Sequence, residues 1–404
     1  MRDGAEPRYT LERASAQTLD GTDVPVYLLH NAGDPKKRFR ASYQDDAVGE
    51  RFEEVLAEVA PDVVHFTYLL WGLSVELTTR AKAAGARTIV TLTDYGLLCH
   101  RGQMFDWRLT HCHGPHPPEV CARCIREPSS FDFSPARVAV RRVVVRAAAA
   151  LGGLGRVVVA DDLAERERVV RAALDDVDHF IAPTAVFRRT FAGWGIPEDK
   201  LTELVYAFDT APYEAARTAP PLDHPAAPVR FGYMGQFTPH KGIETLMEAI
   251  RIMQARLPES VEPWRVHLFG RPAGGRHRHF AKRVFAGELG PRVVVEQPFE
   301  PHEAPRVLGQ LHAVVVPSEW DENAPLTVLQ ARAAGVPVVG SDMAGIAEVV
   351  DAPRHGRLFP AGDAEALADV LRAVVLEREF RLPGTRAPGS LDEHIGTVLG
   401  LYSG

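Results

Sequence analysis

Residues 312–350, HAVVVPSEWDENAPLTVLQARAAGVPVVGSDMAGIAEVV, constrain the fold more than any other stretch of the chain. The apolar run 313–316 suits a buried parallel strand, and an acidic loop, 319–322, follows it. Asn323 stands where it can cap a helix. Ala324 and Pro325 then fall in the first turn, where a proline's missing N–H has no helical partner to lose. Helix formers run to Ala334, Gly335 ends the helix, and Pro337 keeps it from resuming before a second short strand at 338–340. The unit reads strand, loop, helix, strand. A loop at the carboxyl end of a parallel strand, aimed at free N–H groups near Leu326 and Thr327, is where open α/β sheets hold phosphates and sugars. The same pattern also serves as an ordinary βα unit of an α/β domain.

The remaining sequence alternates in the same way. At 404 residues it is too long for one typical core, so two domains are expected. The polar start, to about Asp23, lacks a period, and 24–29 reads as a strand. Val48, Phe52, Val55, Leu56 and Val59 mark one buried helix face. Strands at 62–66 and 87–93 flank a helix at 73–84. Beyond them lie a helix over 163–174, a strand at 180–182, a helix from Thr184 and a strand near 201–206. This alternation predicts a parallel sheet in a first domain, 1–207. Residues 208–228, rich in Pro and Ala, read as a linker. A second alternation fills 229–385: a strand at 229–234, a helix from Lys241, strands at 265–269 and 293–295, a helix at 303–311, and the opening stretch. A break at 383–389 precedes a last helix, 391–401, within 386–404, placed to cross back to the first domain. Two such domains make a cleft, a favoured ligand site.

A net charge of -7 gives no reason to expect nucleic acid as a partner. No apolar run reaches membrane-span length, and the start, MRDGAEPRYT, is no signal peptide, so the cytoplasm is the expected compartment. All four cysteines, Cys99, Cys112, Cys121 and Cys124, fall in one insertion, 99–124, ending in a C-x2-C pair. Four reduced thiols so close in sequence can close a structural zinc site, and free buried thiols or a redox pair are the alternatives. His100, His111, His113 and His116 lie among them. Arg137, Arg141, Arg142 and Arg146 repeat along 134–150 at helical spacing. They suit either a peripheral contact with anionic lipid on the inner membrane face or a solvated, salt-bridged helix face.

A second loop strengthens the first. In 231–249, FGYMGQFTPHKGIETLMEA, a strand runs into Gly235, where a missing side chain lets a ligand approach the backbone. Lys241 stands near the next helix start, a point charge suited to a diphosphate, although a solvated surface lysine would look the same. Together, 235–242 (GQFTPHKG) and 319–335 (EWDENAPLTVLQARAAG) resemble the nucleotide-sugar half of the retaining GT-B glycosyltransferases of family 4. Upstream, 63–77 (VVHFTYLLWGLSVEL) and 91–103 (TLTDYGLLCHRGQ) are similar to the acceptor half, which brings in His65, Thr93, Asp94 and Arg101.

The resemblance implies an α/β GT-B fold, with two Rossmann-like doubly wound parallel-sheet domains facing a cleft. It also implies a nucleoside-diphosphate sugar donor, transfer to an acceptor hydroxyl with retention, and no catalytic metal or other cofactor. Carried over by position, Lys241 holds the diphosphate, Glu322 bonds hydroxyls of the transferred sugar, and Asn323, Ala324, Pro325, Leu326 and Thr327 meet sugar and phosphates. Three departures stand out. Gln236 replaces the family's phosphate-binding arginine, Gln330 its ribose-binding glutamate, and Thr93 the histidine that often precedes Asp94. The first domain also begins past the strand, Gly-rich turn and helix with which members normally open. With Asp94 left to orient sugar or acceptor, transfer would lean on the donor phosphate as base. The departures support a second reading, a donor-binding protein or partner subunit with little turnover. A third reading is a metal-site interaction module built on the cysteines.

Overall fold

Short runs, many rich in β-branched residues, pair into two parallel sheets in the computed structural model. It describes residues 9–18, 21–31, 39–127, 139–140, 143–144, 147, 158–218, 227–257, 263–271, 280, 282, 284–285, 290, 292–378 and 389–404. The arginines proposed for lipid contact, Arg137, Arg141, Arg142 and Arg146, lie outside the described residues.

The chain opens with an antiparallel ribbon, β1 (Thr10–Gln17) on β2 (Asp23–His30), paired from Thr10↔His30 to Gln17↔Asp23. Residues 24–29 are thus a strand, but not one of a parallel sheet as expected. β1 went unread because it is solvent-exposed apart from a half-buried Leu11, so it shows no apolar alternation. α1 (Asp46–Val59) follows, capped by the Asp45 carboxylate, which accepts from the Ala47 N–H. β3 (Val63–Phe66), α2 (Leu77–Ala83), β4 (Arg87–Thr91), α3 (Pro118–Arg126), α4 (Ala160–Asp175), β5 (His179–Ala182), α5 (Ala185–Trp194) and β6 (Leu201–Glu203) complete the first unit. Its sheet runs β3-β4-β5-β6, all parallel. α2 starts later than the apolar pattern suggested because residues 67–76 are spent on a loop. The stretch read as linker contains α6 (Ala211–Thr218), whose Tyr213 and Ala216 are buried.

β7 (Val229–Met234), α7 (Ile243–Arg256), β8 (Trp264–Phe269), β9 (Val293–Glu296), α8 (Ala304–Leu308), β10 (Ala313–Val316), α9 (Leu326–Ala333), β11 (Val338–Ser341), α10 (Ala344–Val350), β12 (Gly356–Phe359) and α11 (Ala364–Glu377) form the second unit. Its parallel sheet has the order β12-β11-β10-β7-β8-β9. Every residue of β10 and β11 is buried, as two helix-covered faces require. The chain enters at β7, builds outward to β9, returns to β10 and builds the other way. The order therefore reverses between β7 and β10, the crevice where doubly wound sheets bind ligands.

The two units are joined by polar and apolar contacts. Glu348 of α10 accepts from the Ala185 and Val186 N–H groups (2.8 and 3.0 Å), which open α5 in the other unit. Trp320 of the second unit is buried in the aromatic core of the first, beside Tyr95. The final helix, α12 (Leu391–Ser403), starts with a Ser390–Glu393 capping box. It bonds back to the first unit through Tyr402 to His65, Leu401 O to the Arg87 guanidinium, and His394 to Val205 O.

Phe231 in β7 is fully buried at the centre of the second sheet. Phe231→Ala should cost about 3–5 kcal/mol, read as a lower urea midpoint with an unchanged slope.

Candidate functional site

The loops after β7 and β10 meet at the reversal point. After β7, Gly235 approaches the next strand's end so closely that a Cβ on Gly270 would lie 1.9 Å from Gly235 O. The buried Tyr233 hydroxyl donates to Gln236 O (2.7 Å), which fixes the turn. A 3-10 turn, Pro239–Lys241, leads to Gly242 at φ +66°, and α7 begins behind it. Lys241 thus precedes the α-helix by one glycine. A side chain at Gly242 would strike Pro317 O, so glycine here lets the two loops touch.

After β10, the Glu319 N–H donates to His240 O (2.8 Å), tying one loop to the other. Glu322 is 4% exposed, and its Oε1 accepts from Lys241 Nζ (2.6 Å) and Ser318 Oγ (2.7 Å). Lys241 Nζ also sits 5.2 Å from the Trp320 ring centre. Glu319 accepts from Thr245 Oγ1, and burial lifts its pKa above the ordinary glutamate value. The base of the loop leaves no spare room: a Cβ on Gly345 would lie 1.6 Å from Glu322 O.

Asn323 does not cap α9 as the sequence suggested. Pro325 holds the cap position, and the Asn323 amide donates across the cleft to Thr93 O and to the Tyr206 hydroxyl (2.8 Å). The intervening Ala324 turns the backbone at φ +116°, and Leu326 and Thr327 open the helix facing the cleft between β7 and β10. Thr327 Oγ1 lies 3.4 Å from Met234 O. Gln330 is partnered with the Tyr213 phenol from α6, a contact that only the tertiary fold creates.

On the opposing side, Asp94 follows β4 and accepts from the Gly96 N–H (2.7 Å). Burial raises its pKa above the usual 3.8, a shift only partly offset by that N–H and by Arg166. Arg166, itself buried, donates to Leu97 O and Gly96 O and so holds the turn from beneath. Neither Tyr206 nor Arg166 was singled out by sequence reasoning, because each lies far along the chain from the motif it supports. Asp94 acts electrostatically on Tyr68 and Tyr206, whose phenol pKa values rise mainly through burial.

Other expected site residues lie elsewhere. His65 sits in β3 with both ring nitrogens occupied, by Tyr402 (2.8 Å) and Thr91 (2.7 Å), so it anchors α12. Arg101 donates to Cys124 O and secures α3. Cys99, Cys112, Cys121 and Cys124 are free thiols around one cavity of about 340 Å³. Among the described residues no group of three or more His, Cys, Asp or Glu is set to hold a metal ion, so the expected zinc site is not shown. Burial raises the Cys112, Cys121 and Cys124 thiol pKa values, Cys124 to about 11. The insertion leans on the donor-side loops through His111 and Asp321 (2.9 Å) and through Gln103 and His240 (3.4 Å).

Residues 228–376 match the family described as glycosyl transferases group 1. A D-inositol 3-phosphate glycosyltransferase of Nocardioides is 28% identical over 242 residues, 56% of this chain and 51% of that protein. The chain therefore matches about half the length of that relative. Sucrose-phosphate synthase from Thermosynechococcus elongatus superposes with a TM-score of 0.61 at 17% identity, covering 92% of this chain and 80% of that one. Anabaena HepE, in complex with UDP, superposes with a TM-score of 0.56 at 15% identity, covering 89% and 82%. The fold is GT-B, and within it residues 228–376 are similar to the group 1 glycosyl transferases.

Two outcomes follow from this geometry. Gly345→Ala should push the Glu322 backbone out of place and lower the melting temperature by several degrees, an overpacking cost of about 1–3 kcal/mol. Asp94 has a raised pKa when folded, so its contribution favours the fold below the ordinary value and is lost as pH climbs through the raised one. Asp94→Asn should therefore melt at or above wild type near neutral pH, with the gap closing toward about pH 4, as a thermal melt series would show.

Proposed function

We propose that this protein transfers a sugar from a nucleoside diphosphate to an acceptor hydroxyl, with retention of configuration and without a catalytic metal. One observation carries the reading: the Lys241–Glu322 pair stands at the strand-order reversal, opposite Asp94. An ammonium there supplies charge for a diphosphate, and the N-terminal turn of α9 adds N–H groups and a positive dipole end. When donor enters, the Lys241 ammonium can turn from Glu322 to phosphate. The freed carboxylate can then accept from the hydroxyls of the transferred sugar, so both groups exchange one partner for another and neither is left bare.

Asn323, bonded to Thr93 O, brings this corner against the acceptor side, where Asp94 orients the incoming hydroxyl. As the bond from the anomeric carbon to the diphosphate oxygen breaks, the acceptor oxygen bonds to that carbon on the same face and passes its proton to the departing diphosphate oxygen. Retention needs no enzyme nucleophile by this route, and stabilising the leaving diphosphate is the main task for Lys241 and the α9 N-terminus. Ribose recognition falls to Gln330, which would have to share its amide with Tyr213. Transfer is expected in the cytoplasm. Among the described residues no helix is long and apolar enough to cross a membrane.

HepE has been solved with UDP and with UDP-glucose, so uridine donors come first in any test. UDP or UDP-glucose should raise the melting temperature, and Lys241→Met and Glu322→Gln should each weaken binding by roughly tenfold or more, about 1.4 kcal/mol. A full panel of nucleotide sugars that leaves the melting temperature unchanged rejects the reading. The Gln330–Tyr213 contact and Gln236 favour one second reading, a donor-binding subunit with little turnover. It predicts donor binding without release of nucleoside diphosphate in the presence of any acceptor, and steady release by the purified chain would exclude it.

A further inference from the structure

The loop after β3 carries two aromatic side chains that the fold leaves in solvent: Tyr68 is 38% exposed and Trp71 53%. Trp71 has φ +49°, a left-handed conformation that is costly for a bulky residue. Its surroundings impose that conformation. The Trp71 N–H donates to Ser42 O (2.9 Å), the Asn31 amide donates to Gly72 O (2.9 Å), and the Val75 N–H donates to Tyr43 O (2.8 Å). The indole is also propped by the His100 ring, 4.8 Å away, which in turn packs 4.7 Å from Phe39. A core tryptophan would be buried, and an incidental surface one would not need a strained, pinned backbone.

The loop lies beside the candidate acceptor carboxylate. Thr93 Oγ1 donates to Thr67 O (3.0 Å), and a Cβ on Gly96 would meet Leu70 at 2.6 Å and Asp94 Oδ1 at 2.7 Å. β3 and β4 run parallel in register, with Phe66 opposite Val90, so the loops that follow them open on one side of the sheet. That is the side Asn323 reaches from the donor domain.

We propose that Trp71, flanked by Tyr68, is the acceptor platform, on which a pyranose or cyclitol ring stacks its C–H face with a hydroxyl directed toward Asp94. The proposal rests on the glycosyltransferase reading and adds the acceptor class to it. A rigid indole offers a flat apolar area at little conformational cost, which suits the C–H face of a sugar ring. A single pinned ring does not suit an acyl chain, which needs a groove along its length.

The experiment is saturation-transfer NMR on the full chain with UDP present. The probes are methyl α-D-glucopyranoside, methyl α-D-mannopyranoside and myo-inositol. At least one should receive saturation through its ring C–H protons. Trp71→Ala should weaken its binding by tenfold or more, and Trp71→Phe should retain part of it. Trp71→Gly, which tolerates the positive φ, should melt no lower than wild type yet lose the probe. The UDP-glucose thermal shift should be the same in all variants, so failure of the platform and failure of the donor reading are separable. The proposal is overturned if no probe binds the wild type, or if Trp71→Ala and Trp71→Gly bind the probe as tightly as wild type does.

Discussion

The buried Glu322 carboxylate and its ion pair with Lys241 organise the second unit's functional corner. A carboxylate 4% exposed is costly to ionise unless it is paired and hydrogen-bonded, and Lys241 Nζ and Ser318 Oγ supply both. Pairing residues 81 positions apart requires two loops to lie in contact. Gly242 and Gly345 make that possible, since a side chain on either would occupy backbone atoms of the facing loop. In the proposed reaction the pair is exchangeable, because a diphosphate would compete for the ammonium and sugar hydroxyls for the carboxylate.

Around that corner the two units are stitched by contacts that take a donor from one and an acceptor from the other. Glu348 satisfies two N–H groups at the start of α5, which would otherwise lack helical partners. Asn323 joins the donor loop to Thr93 O and Tyr206, and Trp320 fills space in the first unit's aromatic core. The cysteine insertion adds His111 against Asp321. A cleft closed this way places the loops that carry Asp94 and Glu322 against each other without their sharing a sheet.

The acceptor side is built on a different principle. Its loop is pinned by hydrogen bonds to its main chain, and the Tyr68 and Trp71 side chains it presents stay partly exposed. Such a surface can recognise a ring by shape and apolar contact while a single carboxylate selects the hydroxyl. The proposed donor side instead presents charge, with a cation, a helix start and a buried acid.

Much of this was legible in the residues. An apolar run such as 313–316 identifies a parallel strand because a sheet covered on both faces buries its side chains, and glycines at 235, 242 and 335 mark backbone that must turn or be approached. Lys241 stands out by its place between such a strand and the next helix, and Glu322 by the resemblance of 319–335 to the glycosyltransferase motif. The strand order, with its reversal between β7 and β10, came from the three-dimensional pairing alone, as did the exposed ribbon strand β1, which carries no buried face to leave a pattern. The same holds for Asn323 reaching across to Thr93 instead of capping a helix, Gln330 meeting Tyr213, and His65 serving α12. Four cysteines close in sequence suggested a metal cage; the fold places all four around one cavity, and among the described residues no group of three or more His, Cys, Asp or Glu is set to hold a metal ion. Local sequence determined which segments are strands, helices and ligand-facing loops, because those depend on the period of burial and on backbone propensity. Only the tertiary structure decided which side chain meets which, because a hydrogen bond or ion pair between distant residues leaves no trace in local spacing.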